Sequence, residues 1–330
     1  MEPAVVQAAT GRRIVPLHPA VEPFRTDRAG IVTLARRADG DCHFHAGARC
    51  TLHNAGGEAL LPSACRHFPR VLLIDARGVL LTLSHYCPTA AALLLDEGAI
   101  TVVEARAPLA LTGEVEGLDA REALPPLLRP GMLMDVADYG RFETACLRTF
   151  GESIDAGASL DRLAAATEIM RTWRPGEGTL ADRIDRAFAA PLPVGAEDPG
   201  LSQAFGVVRS LTGPHPDMDV PVRFSARWPQ ALAAGGASMQ GVLARYLAAA
   251  TFGNWMAYRG QGLRSVVEWL RACYDVLRVQ IVREAGEPLR ITRDSLIRAV
   301  RAADYLLVHT VDSLAFGRAV ASVEHRITSS

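Results

Sequence analysis

Four cysteines close together in the sequence are the residues whose type and spacing most directly suggest chemistry. Cys42, Cys50, Cys65 and Cys87 are spaced C-x7-C-x14-C-x21-C. Four thiolates suit Zn²⁺ or an iron–sulfur cluster, because both prefer soft sulfur ligands. No pair forms the C-x2-C knuckle that is common in zinc sites, so ordinary buried cysteines are the competing interpretation.

Histidines are concentrated in the same part of the sequence, which contains five of the nine. His53 follows Cys50 closely and is an alternative ligand, although a hydrogen-bonded structural role is the more ordinary one. We expect the other four to be surface groups or to lie behind the metal ligands: His43, His45, His67 and His85.

Two arginines lie beside the third cysteine, in the stretch SACRHFPR over residues 63–70. Arg66 and Arg70 are candidates to donate hydrogen bonds to cluster sulfurs or to hold an acidic group of a substrate, since such donors tune metal–thiolate sites. The alternative is a structural pair that ties the end of a helix to a carboxylate.

A predicted hairpin explains how distant cysteines meet. The stretch VLLIDARGVLLTL, residues 71–83, is two apolar runs joined by a short turn containing Gly78, which is typical of a β-hairpin. A hairpin here would return the chain from Cys65 to Cys87. Both cysteines are predicted near the start of a short helix, where backbone N–H groups favour a thiolate.

The remaining local signals concern the rest of the same region. The loop HFHAGAR, with Gly47, would bring Cys42 and Cys50 together. Pro88 is expected at a first helical position, with Gly98 as the stop. The stretch ITVVEA, residues 100–105, is predicted to be a further strand.

From about residue 130 onward, apolar residues recur at three- and four-residue spacing, which predicts long amphipathic helices separated by Pro- and Gly-rich breaks. The expected fold is mainly α: a small α+β cysteine-cluster module with a hairpin, followed by an irregular helical bundle. The predicted division is an irregular N-terminal arm at 1–30, the cysteine-cluster module at 31–105 and a helical domain at 106–330.

Several residues of the helical part are expected to be structural. Cys146 and Cys273 lie on amphipathic helices and are predicted to pack as small hydrophobes. Asp304 and His309 are five residues apart, a spacing that does not share one face of an α-helix, so we do not expect them to form a catalytic pair. Trp255 and Trp269 are predicted to be core residues rather than a binding platform.

The composition excludes several classes of function. The chain has 330 residues, a formal net charge of −1 and 35 basic residues that are all Arg, so no Schiff-base lysine or P-loop lysine is present. The near-neutral balance argues against a nucleic-acid partner. No stretch predicts a membrane span or a secretory leader, so we expect a cytoplasmic protein without a membrane partner, where clustered cysteines favour metal binding or catalysis.

The pieces RCTLH, LPSACRHFPR and LSHYCPTAA occur in an order that resembles the cysteine-cluster family of zinc- or iron-chelating proteins, which includes the flagellin lysine N-methylases. The resemblance covers about 60 residues. It implies that Cys42, Cys50, Cys65 and Cys87 are metal ligands. The family signature also has an upstream C-x3-C-x2-C-C run, whereas residues 1–41 contain no cysteine. One explanation is that this chain has lost the upstream half-site. The other is that Met1 lies downstream of the true start of the protein, so that the half-site is missing from the sequence.

Three functions follow as expectations. The first is a metal-binding protein of unassigned chemistry that holds a 4Fe-4S cluster or zinc, with iron–sulfur ahead because C-x2-C is missing. The second, implied by the resemblance alone, is an enzyme that transfers a methyl group from S-adenosylmethionine to lysine of a protein substrate. No glycine-rich loop of the kind that holds this cofactor occurs in the sequence. The third is a metal-free helical module that binds a protein partner.

Overall fold

A computed structural model of the chain describes residues 24–26, 32–34, 37, 42–46, 49–106, 117–153, 155–191 and 200–328. These residues divide into two compact units. The smaller unit contains the described residues up to Phe68 together with residues 105–106, and the larger unit contains residues 69–104 and 117–328. Apart from residues 24–26, the predicted N-terminal arm lies outside the described residues.

The smaller unit is built from short elements around a small apolar core. The buried side chains of Phe44, Leu52 and Leu60 form this core. Its elements are strands β1 (Phe24–Thr26), β2 (Val32–Leu34), β3 (His45–Ala46) and β4 (Arg49–Cys50), then helix α1 (Thr51–Gly56), a 3₁₀ turn (Gly57–Leu60) and helix α2 (Ser63–His67). The strands pair in order as two antiparallel hairpins, β1 with β2 and β3 with β4.

The predicted hairpin is confirmed and belongs to the larger unit. Strands β5 (Arg70–Asp75) and β6 (Gly78–Leu83) pair in antiparallel register from Asp75 opposite Gly78 to Arg70 opposite Leu83. Gly78 has φ 119°, a conformation that side chains with a Cβ rarely adopt. Helix α3 (Pro88–Leu93) begins at its proline, as predicted.

The strand predicted at residues 100–105 is wrong. Residues 101–105 are irregular and exposed. The place beside β5 is taken by β7 (Gly117–Asp119), which pairs parallel to it in a sheet of order β6-β5-β7. An apolar run predicts a strand only when an edge is available for it to pair with.

Beyond this sheet the larger unit is helical. A short hairpin of β8 (Leu127–Arg129) and β9 (Met132–Leu133) precedes it. The helices that follow share one continuous core, and in chain order they are α4 (Val136–Glu152), α5 (Ala156–Arg171), α6 (Leu180–Ala189), α7 (Gln203–Thr212), α8 (Phe224–Thr251), α9 (Met256–Arg259), α10 (Leu263–Glu284), α11 (Arg293–Asp304) and α12 (Ser313–Thr328), with a π-helix at Tyr305–Thr310.

Two local features shape these helices. Asp135, Asp155, Thr179 and Ser202 each cap a helix by accepting a hydrogen bond from a backbone N–H of its first turn. Helix α8 is kinked at Gly236, where φ is 53° and ψ is −148°. The fold is therefore mainly α with a small α+β part, as expected. Of the helices in the described ranges, none is both long and apolar enough to span a bilayer.

The boundary between the units differs from the predicted boundary at residue 105. The buried side chains of Leu73 and Leu80 on the hairpin form a core cluster with Ala120, and Phe252 and Trp255 from the helical part pack against it. Burial of this apolar face ties the hairpin to the helices, so the hairpin that was expected in the cysteine module lies in the larger unit.

Candidate functional site

Two of the predicted metal ligands lie on the core of the smaller unit. Cys42 and Cys50 are half-buried and pack against the cluster of Phe44 and its neighbours. The β3–β4 hairpin places Cys50 opposite His45, and the N–H of His45 donates to the carbonyl of Cys42 over 3.0 Å. The β3–β4 pairing therefore brings both cysteines to the same small core, and Gly47, where the tight turn was predicted, lies outside the described residues.

Two histidines of this unit are buried, whereas they were expected either at the surface or behind the metal ligands. His43 is 1% exposed and His67 is 5% exposed. Neither ring nitrogen of either residue has a hydrogen-bond partner among the described residues. Buried polar atoms are nearly always paired, so these two imidazoles are candidates to bind a water, an ion or another group outside the described residues.

The other predicted site residues are distributed over both units. Cys65 is exposed on α2, and Arg66 follows it in the same short helix. Cys87 is half-buried and caps α3 of the larger unit, where its N–H donates to the carbonyl of Ser84 over 3.3 Å. Arg70 is the exposed first residue of β5. The proximity of Cys65 and Cys87 stays a prediction, as does the contact of the two arginines with a metal site.

The described residues supply candidate donors but not an assembled metal centre. Within the described part of the chain, no three His, Cys, Asp or Glu side chains lie close enough together to hold an ion. The soft thiols of Cys42 and Cys50 have the right chemistry for zinc or iron, as does the imidazole of His43, which has no partner within the described ranges. A full ligand set would need donors beyond those that these residues bring together.

The larger unit contains a pocket that encloses about 120 Å³. The β5–β6 hairpin, the end of α8, the segment after it, α10 and the α11–π-helix junction contribute to its walls. Its aromatic lining is Tyr246, Phe252, Trp255 and Trp269, and its polar lining includes His85 and Asp304. Pockets of this kind, mostly apolar with a few polar groups, are the usual binding sites of small molecules.

The segment between α8 and α9 is held in place by specific contacts. The Asn254 side chain accepts from the N–H of Met256 and donates to the carbonyl of Ala250, at 2.9 and 3.0 Å. Gly253, with φ 62°, donates its N–H to Glu143 Oε1 over 3.0 Å. The indole N–H of Trp255 donates to the carbonyl of Leu72 on β5 over 3.1 Å. These bonds fix the aromatic wall against the hairpin.

A buried charge network lies behind this wall. Arg77 bridges two carboxylates, with 2.8 Å from Nη2 to Asp75 Oδ2 and 2.9 Å from Nη1 to Glu143 Oε2. Tyr258 also donates to Asp75 over 2.9 Å. Burial raises the pKa of Glu143 above its ordinary value even though the positive charge of Arg77 opposes the rise.

Asp304 is the central polar group of the pocket and is 3% exposed. Its Oδ2 accepts from the Ser84 hydroxyl over 2.7 Å and from the N–H of Tyr86 over 2.9 Å. Its Oδ1 has longer contacts, 3.5 Å to the hydroxyl of Tyr246 and 3.8 Å to Nδ1 of His85. One carboxylate oxygen is thus well satisfied, while the other has weak contacts, both to residues that also line the pocket.

The relation between Asp304 and His309 corrects the premise that they lie on different faces, whereas the expectation that they are not a catalytic pair stays a prediction. Ser84 Oγ contacts both residues, at 2.7 Å from Asp304 Oδ2 and 2.8 Å from His309 Nε2. Residues five apart do share a side in a π-helix, whose hydrogen bonds run from i to i+5. The N–H of Val311 donates to the carbonyl of Leu306 in this pattern. One feature of the sequence could have indicated this polar cluster, namely the polar stretch Ser84–Tyr86 at the end of an apolar hairpin.

The ionisation of the pocket follows from burial. Burial, and then the negative charge of Asp304, raises the pKa of Tyr246 and of Cys273 well above their ordinary values. Both groups are therefore protonated at neutral pH. In a Ser–His–Asp hydrolase the imidazole lies between the hydroxyl and the carboxylate. Here Ser84 contacts both and is itself buried, so it orients Asp304 rather than attacking a substrate.

Comparison of the chain with protein-family models, curated proteins and solved structures gave no match. The resemblance to the cysteine-cluster family therefore stays a prediction from the quoted motifs.

Proposed function

We propose that the larger unit binds a small molecule in its pocket and that Asp304 is the group that recognises it. The observation that carries this proposal is the unequal satisfaction of the two oxygens of Asp304. Oδ2 accepts two short hydrogen bonds, whereas Oδ1 has contacts of only 3.5 and 3.8 Å. Burying an incompletely paired carboxylate is costly, so a ligand that pairs with Oδ1 would offset that cost.

The test is a screen of neutral, cationic and anionic fragments by ligand-observed NMR, with a variant that fills the pocket. Ala250 on α8 lines the pocket, and Ala234 is an exposed alanine on the same helix. We expect fragments to bind the native protein and Ala234→Phe, and to lose binding in Ala250→Phe. If no fragment of any charge binds, or if Ala250→Phe changes nothing, the proposal is wrong.

A second candidate function, metal binding by the smaller unit, is favoured by different observations. Cys42 and Cys50 share one core, and buried His43 has no hydrogen-bond partner in the described part of the chain. The resemblance would add Cys65 and Cys87 as ligands. Iron–sulfur stays ahead of zinc because the C-x2-C knuckle is missing. None of the six cysteines forms a disulfide among the described residues, which supports our proposal of a reducing compartment such as the cytoplasm.

The metal proposal is tested by elemental analysis and an absorption spectrum of protein purified without oxygen. We expect iron or zinc in fixed stoichiometry, lost in Cys42→Ala and Cys50→Ala and retained in Cys146→Ala, whose thiol is buried in α4. A colourless, metal-free and fully folded native protein would contradict it. No contact among the described residues favours methyl transfer or a metal-free interaction module over these two candidates.

A further inference from the structure

We infer that the pocket of the larger unit takes a small organic cation, an inference that rests on the proposed function. Of the described residues that line the pocket, Asp304 alone carries a formal charge when histidine is neutral. Tyr246 and Cys273, the other acidic groups of the lining, keep their protons, as argued above. The lining itself therefore carries a single negative charge, and the Arg259 guanidinium, which is not part of the lining, contacts the lining residues Trp255 and Ser313.

The position of that charge decides which ligands are accepted. Asp304 is nearly fully buried, so its field is poorly screened by water. An anion would be repelled. An uncharged ligand gains no Coulombic attraction from the carboxylate, so it offsets less of the cost of removing Oδ1 from water. A cation gains that attraction as it enters.

The aromatic lining favours the same class. Tyr246, Phe252, Trp255 and Trp269 line the same pocket as the carboxylate, and the Tyr246 hydroxyl lies 3.5 Å from Asp304 Oδ1. The faces of aromatic rings attract cations, Trp most strongly, and cages of aromatic side chains recognise quaternary ammonium groups. The ring of Trp255 already accepts one cation in this protein, because the Arg259 guanidinium carbon lies 4.8 Å from its centroid.

The size of the pocket limits the ligand. Its volume of about 120 Å³ corresponds to about four water molecules at about 30 Å³ each. This suits a compact free cation of the size of tetramethylammonium or choline, and not a nucleotide.

The test compares two probes of nearly the same shape that differ in charge. Choline and its uncharged analogue 3,3-dimethyl-1-butanol are titrated into the full chain by calorimetry, at about pH 8 so that histidines are ordinarily neutral. We expect choline to bind at least about tenfold more tightly. In Asp304→Asn the two probes should bind within about twofold of each other. Asp275→Asn, at a buried carboxylate paired with Arg278 outside the pocket, should keep the native preference.

Each outcome is informative even if Asp304→Asn fails to fold, because the pair of probes is decisive on the native protein. Equal binding of the two probes, or tighter binding of the alcohol, overturns the inference. If choline does not bind but uncharged fragments do, and Ala250→Phe abolishes their binding, the cation inference fails and the proposed function stands. If nothing binds, both fail.

Discussion

At the level of single residues, the contacts of Asp304 define separate roles for its neighbours. Ser84 is 2% exposed and does not line the pocket, yet its hydroxyl makes the shortest bond to the carboxylate, 2.7 Å. Tyr246 and His85 lie on the pocket side, at the oxygen with longer contacts. Ser84 is therefore a positioning residue that fixes the carboxylate from behind.

Replacing Ser84 tests this role. Ser84→Ala leaves a buried carboxylate with one donor fewer, which should lower the free energy of unfolding by about 1–3 kcal/mol in urea denaturation. Ser210→Ala is the control, because Ser210 is exposed and its hydroxyl bonds to the carbonyl of Val207 in its own helix. Equal effects of the two substitutions would contradict the role assigned to Ser84.

The charge network behind the pocket gives a second prediction at this scale. Arg77→Met leaves Asp75 and Glu143 buried without their counter-charge, and should lower the free energy of unfolding by about 3–5 kcal/mol. The matched control is Arg121→Met, since Arg121 chelates Asp119 in the same two-residue arrangement but on the exposed surface.

We expect Arg121→Met to leave stability nearly unchanged, because exposed ion pairs contribute little. Chemical denaturation of both variants measures the contrast. A small loss of stability in Arg77→Met would show that the buried carboxylates of Asp75 and Glu143 do not need the positive charge of Arg77.

Residue types alone led to the cysteines and missed the pocket. A cysteine is rare and chemically distinctive, so Cys42 and Cys50 stand out in a sequence, whereas Asp304 resembles any helical aspartate until its burial and its contact with Ser84 are known. Those two properties depend on contacts between residues about 220 positions apart. No local sequence pattern predicts contacts between residues so far apart in the chain.

At the level of elements, prediction succeeded where local chemistry decides the structure. The turn at Gly78 and the proline that begins α3 fix their elements within a few residues. It failed at residues 100–105, where pairing with a distant strand decides. Prediction also failed at Tyr305–Thr310, which form a π-helix. Residues five apart share a side in a π-helix, whereas the prediction assumes the spacing of an α-helix.

The kink in α8 leads to a comparison of two glycines, at which substitution by alanine should change the free energy of unfolding in opposite directions. Gly236 has φ 53° and ψ −148°, so Gly236→Ala should cost roughly 1–3 kcal/mol of backbone strain, although no atom would obstruct the added Cβ. Gly206 is exposed inside α7, also has open space around it, and has ordinary helical geometry. Gly206→Ala should stabilise the protein by about 0.5–1 kcal/mol.

Thermal and urea denaturation of the two variants provide the measurement. Stabilisation by Gly236→Ala would mean that α8 is continuous there in solution.

At the level of the whole molecule, the two units have separate cores of very different size. The smaller unit depends on Phe44, Leu52 and Leu60, whereas the core of the larger unit runs through all of its long helices. Because burial of apolar surface supplies most of the stability of a fold, the smaller unit is expected to open more easily.

Hydrogen exchange tests this difference. Leu60→Ala removes a large part of the small core, at a cost of about 2–5 kcal/mol, and should accelerate exchange over residues 49–67 while the amides of α10 keep their rates. Leu124→Ala, at a side chain that is 75% exposed, should change neither unit. Uniform acceleration over both units would show that they unfold as one.

The aromatic wall has a practical consequence for spectroscopy. The chain has four tryptophans, and two of them, Trp255 and Trp269, line the pocket. Much of the intrinsic fluorescence of the protein therefore originates beside the proposed ligand. A molecule that enters should change the emission without any added label, so the pocket contains its own optical reporter.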